Sequence, residues 1–402
     1  MRVVGVTRAR RPVLTAVVAV VIALVGTLTI TEGPRIVGDA VEAPHLANFY
    51  AQPAGAADGK PGTLVKSEPL AGTPLASLAW RIMYRSTDLN GKPIVVTGIV
   101  VTPIGIAPSN GRTVLAWGHP TTGTAAACAP SMAFDPFIGI EGLRWMLARG
   151  YTVVAPDFAG MGTKGPNSYL VGDTAAHTVL DAVRAAGHIP EAQAGKRVVL
   201  WGHSQGGQAV LFAAQDAPSY APELNVVAVA AAAPAADLTA LVKSHLNDIS
   251  GVTIGSYAFP AFASVYGPTT RGAELSRVLT PAAIATTPTM NRLCLLPHLS
   301  QLHTIGQPLV GKFFLRDPAA VEPWKSLLKE NSVGNATIEA PVFIAQGSDD
   351  QLIRPSDTKA FVEHERSIGI NVTYDVVPLA THATIAYFAL PALELWLNSN
   401  DK

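Results

Sequence analysis

Lys196-Arg197-Val198-Val199-Leu200-Trp201-Gly202-His203-Ser204-Gln205-Gly206-Gly207-Gln208-Ala209-Val210 is the stretch that decides the architecture of this chain. A β-branched apolar run stops at Gly202, a serine follows two residues later, and small residues open a helical pattern. Glycines on both sides of Ser204 leave room for a backbone bend too tight for side chains. Such a strand–turn–helix bend lifts a serine hydroxyl clear of the sheet and turns the first N–H groups of the helix towards it. With 35 glycines in the chain, Gly-x-Ser-x-Gly alone is a weak signal; the strand before it and the helix after it give it weight. Ser204 is therefore the candidate nucleophile.

Working outward, the chain reads as α/β. After an irregular Pro- and Gly-rich lead-in over Ala43 to Leu70, Trp80–Arg85 and Ile94–Val101 are two strand patterns. Asp88-Leu89-Asn90-Gly91 between them signals a hairpin, so the sheet is expected to begin antiparallel. The rhythm then becomes strand, glycine-rich turn, helix. Thr113–Trp117, Tyr151–Ala155, the stretch before Ser204, Asn225–Ala230, Pro341–Ala345 and Val372–Val377 are the strands. Helices are expected over Gly142–Arg149 and about Asp173–Ala186. Alternation with short connections predicts a mostly parallel sheet covered on both faces. About 110 residues separate Ala230 from Pro341 where one helix would suffice, and an interval that long reads as a functional cap. Leu238–Ile249 and Ala273–Val278 read as helical within it, with Tyr257–Pro268 as a connection. The expected division is 1–40 as export segment, 41–235 as first core part, 236–320 as cap or lid, and 321–402 as second core part.

A serine hydroxyl needs a base to take its proton, and the base needs an orienting acid. In a parallel sheet these groups sit on loops at strand C-termini, here in the order serine, acid, histidine. The Pro341–Ala345 strand leads through Gly347 to Asp349 and Asp350. Asp350 is favoured, because Leu352-Ile353 after it would pack the turn on the sheet while Asp349 serves as a turn residue. His382 follows the last strand and is the expected base; His364 falls mid-helix on a charged face. The oxyanion hole should take the N–H of Gln205 and one from Thr121 or Thr122, since Pro120 has none to offer. His119 reads as a packed or loop-bonding histidine. No metal-ligand spacing, dinucleotide fingerprint or P-loop occurs, so neither a metal nor another cofactor is expected.

Composition limits the alternatives. Apolar residues make up 49% and charged ones 14%, with Lys+Arg and Asp+Glu equal at 29 each. A large core is easily built, and nucleic acid is a poor candidate partner. Arg2, Arg8, Arg10 and Arg11 precede an uncharged apolar run at 13–30, which fits an export signal that is either cleaved or kept as a membrane anchor. The expected location is outside the cell or in the envelope. Cys128 and Cys294 in an exported chain suggest one disulfide, with two unpaired buried thiols as the alternative. Paired, they would close a loop of about 165 residues and stabilise by roughly 4–5 kcal/mol on the chain-entropy model.

Taken together, these pieces resemble the secretory lipase family typified by Candida antarctica lipase A, in its actinobacterial branch. The resemblance is carried by Phe49-Tyr50 with Pro61-Gly62-Thr63-Leu64, by Trp80 to Thr87, and by Cys128-Ala129-Pro130-Ser131. Further matches are Ala155-Pro156-Asp157 with Gly160, Tyr169-Leu170 with Asp181 to Ala186, Gly202 to Gly206, Gly347 to Asp350, and His382. It implies an α/β-hydrolase fold with a helical cap, a Ser204–Asp350–His382 triad, and a disulfide from Cys128 into the cap. It also implies hydrolysis of carboxylic or lipid esters through an acyl-enzyme. One departure stands out: the family prototype has an acidic side chain near its oxyanion loop, where this chain has Thr121-Thr122-Gly123 and Ala125-Ala126-Ala127. An acyltransferase or a serine peptidase would use the same triad, and a non-enzymatic envelope protein on this fold is the reading from another class.

Overall fold

The computed structural model describes residues 45–401. The N-terminal segment expected to direct export, including the run at 13–30 considered for membrane association, lies outside the described residues. The chain divides into two units, Met1–Ala51 with Ala133–Asp135, and Gln52–Met132 with Pro136–Lys402. In the first, the described residues include a helix over 45–50. The second holds everything that follows.

Among the described residues nine strands form one sheet in the order β1-β2-β3-β5-β4-β6-β7-β8-β9. They are β1 (Leu64–Pro69), β2 (Ser77–Thr87), β3 (Pro93–Pro103), β4 (Arg112–Gly118), β5 (Thr152–Pro156), β6 (Ala194–His203), β7 (Asn225–Ala232), β8 (Val342–Gly347) and β9 (Val372–Val377). β1 to β3 run antiparallel, β3 meets β5 antiparallel, and every pairing from β5 to β9 is parallel. The expected hairpin joins β2 and β3, with Asp88 Oδ1 accepting the N–H groups of Asn90 and Lys92, each at 2.9 Å. β1 was not expected. Its residues Leu-Val-Lys-Ser-Glu-Pro are half-buried at best and lack a clear alternation, so pairing with β2 rather than pattern makes it a strand.

The central strands are buried on both faces, which explains their unbroken apolar runs. Val114, Ala116, Val198, Leu200 and Val229 point to one face. There they meet α2 (Gly172–Ala186), α3 (Gln205–Tyr220) and α9 (Pro355–Ser367) through residues such as Val179, Val210 and Phe361. Leu115, Trp117, Val199 and Trp201 point to the other face, against α1 (Leu143–Ala148), α10 (Ile385–Phe388) and α11 (Leu390–Asn400).

Between β7 and β8 the chain forms α4 (Leu238–Ser244), α5 (Ile249–Tyr266), α6 (Pro281–Met290), α7 (Leu299–Gly306) and α8 (Trp324–Glu330). This inserted interval therefore runs past position 320. Three local expectations change here. The helix expected over Leu238–Ile249 stops at Ser244, because Asp248 caps a new one by accepting the Gly251 N–H at 2.9 Å. Tyr257–Pro268, expected as a connection, is mostly the interior of α5, where burial of Tyr257, Phe259 and Phe262 outweighs the helix-breaking tendency of Pro260. Ala273–Val278 holds only a short turn at Leu275–Arg277.

β4 lies between β5 and β6, so the chain leaves it to one side and later returns on the other. A crevice opens at the carboxyl ends of strands at such a switch. There Gly118, Gly202 and Gly206 let the start of α3 sit directly on β4 and β6. A Cβ on Gly202 would stand 2.3 Å from the Gly206 carbonyl oxygen, and one on Gly206 would stand 1.9 Å from that of Gly118. Gly202→Ala is accordingly expected to destabilise the fold by about 1–3 kcal/mol through overpacking against backbone that cannot yield. Gly139→Ala, whose added carbon meets nothing within 4 Å, is expected to change stability by under about 0.5 kcal/mol. Urea midpoints at unchanged slope distinguish the two.

Candidate active site

Ser204 sits between the end of β6 and the start of α3 with φ 56° and ψ −117°, a conformation that an L-residue rarely adopts. Such a backbone costs about 1–3 kcal/mol and persists only where its surroundings enforce it. Here the Ser204 N–H donates to the Ala232 carbonyl at 3.0 Å. The Ser204 carbonyl accepts from the N–H groups of Gln208 and Ala235, each at 3.1 Å. Neighbouring β7 and the first turn of α3 thus fix the bend from both sides.

The loops after β8 and β9 bring two more side chains to this point. His382 Nε2 lies 2.9 Å from Ser204 Oγ, and its Nδ1 lies 2.8 Å from Asp350 Oδ2. The partners assign the tautomer: Nδ1–H donates to the carboxylate, leaving the Nε2 lone pair facing the serine hydroxyl. Asp350 is buried, and its Oδ1 accepts the N–H groups of Leu352 at 2.8 Å and Ile353 at 2.9 Å. Gln346 Nε2 donates to Oδ2 at 3.3 Å. These bonds leave the carboxylate one orientation. Asp349 is exposed and donates its N–H to the Ala380 carbonyl at 3.0 Å, which steadies the loop that carries His382. His364 is exposed on α9 and bonds the Gly334 carbonyl, away from the site.

Burial pushes the His382 imidazole below its ordinary value, against the opposing pull of the Asp350 hydrogen bond and charge. The ring is therefore neutral at neutral pH, the form that can accept a proton.

Gln205 is the first residue of α3, where backbone N–H groups have no partner within the helix. The Pro120–Gly123 loop follows β4, whose Gly118 pairs with Gly202 at the end of β6. Both threonine hydroxyls there are engaged in packing: Thr121 Oγ1 meets the Tyr169 hydroxyl at 2.8 Å, and Thr122 Oγ1 donates to the Cys128 carbonyl at 2.9 Å. The Thr122 carbonyl accepts the Leu295 N–H at 2.7 Å. Cys128 and Cys294 form a disulfide with Cα atoms 5.3 Å apart, tying this loop to the segment between α6 and α7.

Two buried sites, Asp157 and the Glu141–His203 pair, escaped the sequence reading, whereas His119 sits as expected. Asp157, after β5, accepts from Thr97 Oγ1 at 2.6 Å, from the Ser131 N–H at 2.8 Å and from the Ser131 hydroxyl. It thereby anchors the Cys-Ala-Pro-Ser segment. His119 bonds the carbonyls of Pro120 and Asp157, at 2.6 and 3.4 Å, as a loop-bonding histidine does. Glu141 and His203 form a pair beside His382, with Oε1 to Nδ1 at 3.3 Å. Histidine in the motif itself was the available signal for the last. Within the insertion an apolar cavity is lined by Leu241, Ile254, Phe259, Phe262, Phe314 and Leu328. His245 Nε2, from the same insertion, lies 2.8 Å from the Leu352 carbonyl and so braces the Asp350 turn. Among the described residues no three His, Cys, Asp or Glu side chains form a group that could hold a metal ion, and no helix is long and apolar enough to cross a membrane.

The secretory lipase family profile matches residues 139–400. The chain belongs to the secretory lipase family. A protein of Mycobacterium tuberculosis named probable inactive lipase is 26% identical, over 87% of this chain and 80% of its own length. Lipase A of Arthroderma benhamiae is 27% identical, over 89% and 80%. The solved structure of Candida antarctica lipase A in its closed state superposes with a TM-score of 0.70 at 19% identity, covering 88% of this chain and 85% of that one. This secretory-lipase chain thus has the α/β-hydrolase fold that its sequence led one to expect.

A protonated imidazole cannot accept a proton, so if His382 is the base for Ser204, its lowered pKa sets where reactivity at Ser204 is lost. The rate of fluorophosphonate labelling is expected to fall in acid with one titrating group, at a midpoint below the ordinary histidine value of about 6.5. Mass spectrometry of the labelled peptide across pH measures it.

Proposed function

We propose that this chain is an exported serine hydrolase that cleaves carboxylic esters through an acyl-enzyme on Ser204. The observation that carries the reading is the continuous hydrogen-bonded series from Ser204 Oγ through His382 to buried Asp350, in a member of the secretory lipase family. His382 Nε2 takes the Ser204 proton as Oγ bonds to the ester carbonyl carbon. The Gln205 N–H and an N–H of the Thr121–Thr122 loop hold the oxygen that becomes negative. Collapse expels the alcohol, which leaves with the proton from His382. Water then gives a proton to His382 and attacks the acyl carbon, releasing the acid and restoring Ser204. Asp350 keeps Nδ1–H in place and stabilises the imidazolium that forms twice per cycle.

The insertion between β7 and β8 acts as a cap over the substrate. Its apolar interior suits an aliphatic acyl group better than the charged termini of a peptide. The family name and the basic–apolar N-terminal sequence support export; intact mass of the exported protein separates a cleaved signal from a retained anchor.

Ser204→Ala is expected to lower kcat at least about 10,000-fold on a short p-nitrophenyl ester while far-UV circular dichroism is unchanged. A triglyceride, a p-nitrophenyl ester series of increasing acyl length and a peptide amide on one preparation separate lipase, esterase and peptidase. The relative named probable inactive makes a non-catalytic reading concrete. Wild-type protein that forms no fluorophosphonate adduct at Ser204 would favour that reading.

A further inference from the structure

His203, the last residue of β6, is buried beside Ser204 but reaches away from it. Its Nε2 lies 2.9 Å from the backbone carbonyl oxygen of His382, and the two imidazole rings stand 5.1 Å apart between centroids. A carbonyl oxygen only accepts, so Nε2 carries a proton. Nδ1 faces Glu141 Oε1 at 3.3 Å, and this second contact fixes which way the ring is turned. Glu141 is itself buried and held, since its backbone carbonyl accepts the Trp201 indole N–H at 2.9 Å. Its other carboxylate oxygen, Oε2, is buried without a hydrogen-bond partner among the described residues.

The loop carrying His382 needs such a hold. Leu379 and Thr381 are exposed, and the loop's other ties fall before or after the histidine. Leu379 N–H donates to Ser348 Oγ at 2.8 Å, Asp349 N–H to the Ala380 carbonyl at 3.0 Å, and Thr381 N–H to Thr384 Oγ1 at 2.9 Å. At His382 itself the carbonyl is gripped from β6, the strand that also delivers Ser204.

We propose that Glu141 and His203 are positioning residues: they hold the His382 backbone in register with Ser204, so that one strand sets the place of both nucleophile and base. This rests on the roles proposed above for Ser204 and His382. Neither residue touches substrate or takes the serine proton. Glu141 also contributes charge, because its carboxylate favours a protonated His382 while His203 opposes it and Asp350 pulls in the same direction as Glu141.

The test uses the full chain, a short soluble p-nitrophenyl ester, and three variants. His203→Asn keeps an amide near the Nδ1 position but has no donor for the His382 carbonyl; His203→Gln extends an amide nitrogen to the Nε2 position. H203N is expected to lose kcat by about 10- to 100-fold with KM nearly unchanged, and H203Q to regain most of it. Glu141→Gln places an amide, able to donate or accept, against Nδ1 and removes the charge. Its kcat plateau should stay near wild type while the acid limb of the pH profile moves to lower pH. Wild-type kcat in H203N, equal losses in H203N and H203Q, or an unmoved acid limb in E141Q would overturn the proposal. Should H203N not give a cooperative thermal transition, H203Q decides: kcat near wild type supports the hold, and a lost kcat at unchanged KM overturns it. A wild-type protein that fails to label at Ser204 counts against the catalytic assignment instead, which keeps the two failures apart.

Discussion

The start of α3 rests on the ends of β4 and β6 with no side chain between them, and the rest of the site follows from that contact. Backbone lies against backbone at Gly118, Gly202 and Gly206, where any Cβ would collide with a carbonyl. The short distance between strand and helix forces the residue between them into a positive-φ bend. Ser204 is thus raised above the sheet with the open N–H groups of α3 beside it. Hydrogen bonds from β7 and α3 hold the bend, so its strain is spread over the best-buried part of the molecule.

The parallel order of the sheet does the remaining placement. β8 and β9 lie beyond β7, and their carboxyl ends face the same rim as that of β6. A turn after β8 and a loop after β9 then bring Asp350 and His382 to Ser204 across large separations in sequence. The insertion adds bracing rather than chemistry: His245 supports the carbonyl of Leu352, whose N–H orients Asp350.

What could be read from residues alone was what depends on strong local patterns. Val198 to Trp201 running into Gly202, Asn90-Gly91 between two β-rich runs, and Gly347 before Asp350 each have one economical backbone solution. So the three positions that the structure brings together, Ser204, Asp350 and His382, could be picked out before any coordinates, and Asp350 could be preferred over Asp349 because Leu352-Ile353 demanded a packed turn. β1 was not legible, since its polar–apolar order is irregular and only its partner strand defines it. Tyr257–Pro268 was read as a connection because Pro260, Gly267 and Pro268 weaken helix propensity, while the burial that overrides propensity is a property of the assembled core. Glu141 and Asp157 were missed for a related reason. A lone carboxylate in a loop gives no sign in sequence of the distant backbone that it will meet.

The cystine between residues 128 and 294 encloses the strand and helix on either side of Ser204 in a covalent ring while leaving Asp350 and His382 outside it. A single backbone cut inside that ring, for instance at the exposed turn over 267–269, leaves both fragments joined. The segment that bears Ser204 is thereby tethered to the rest of the chain against loss by any one nick inside the ring.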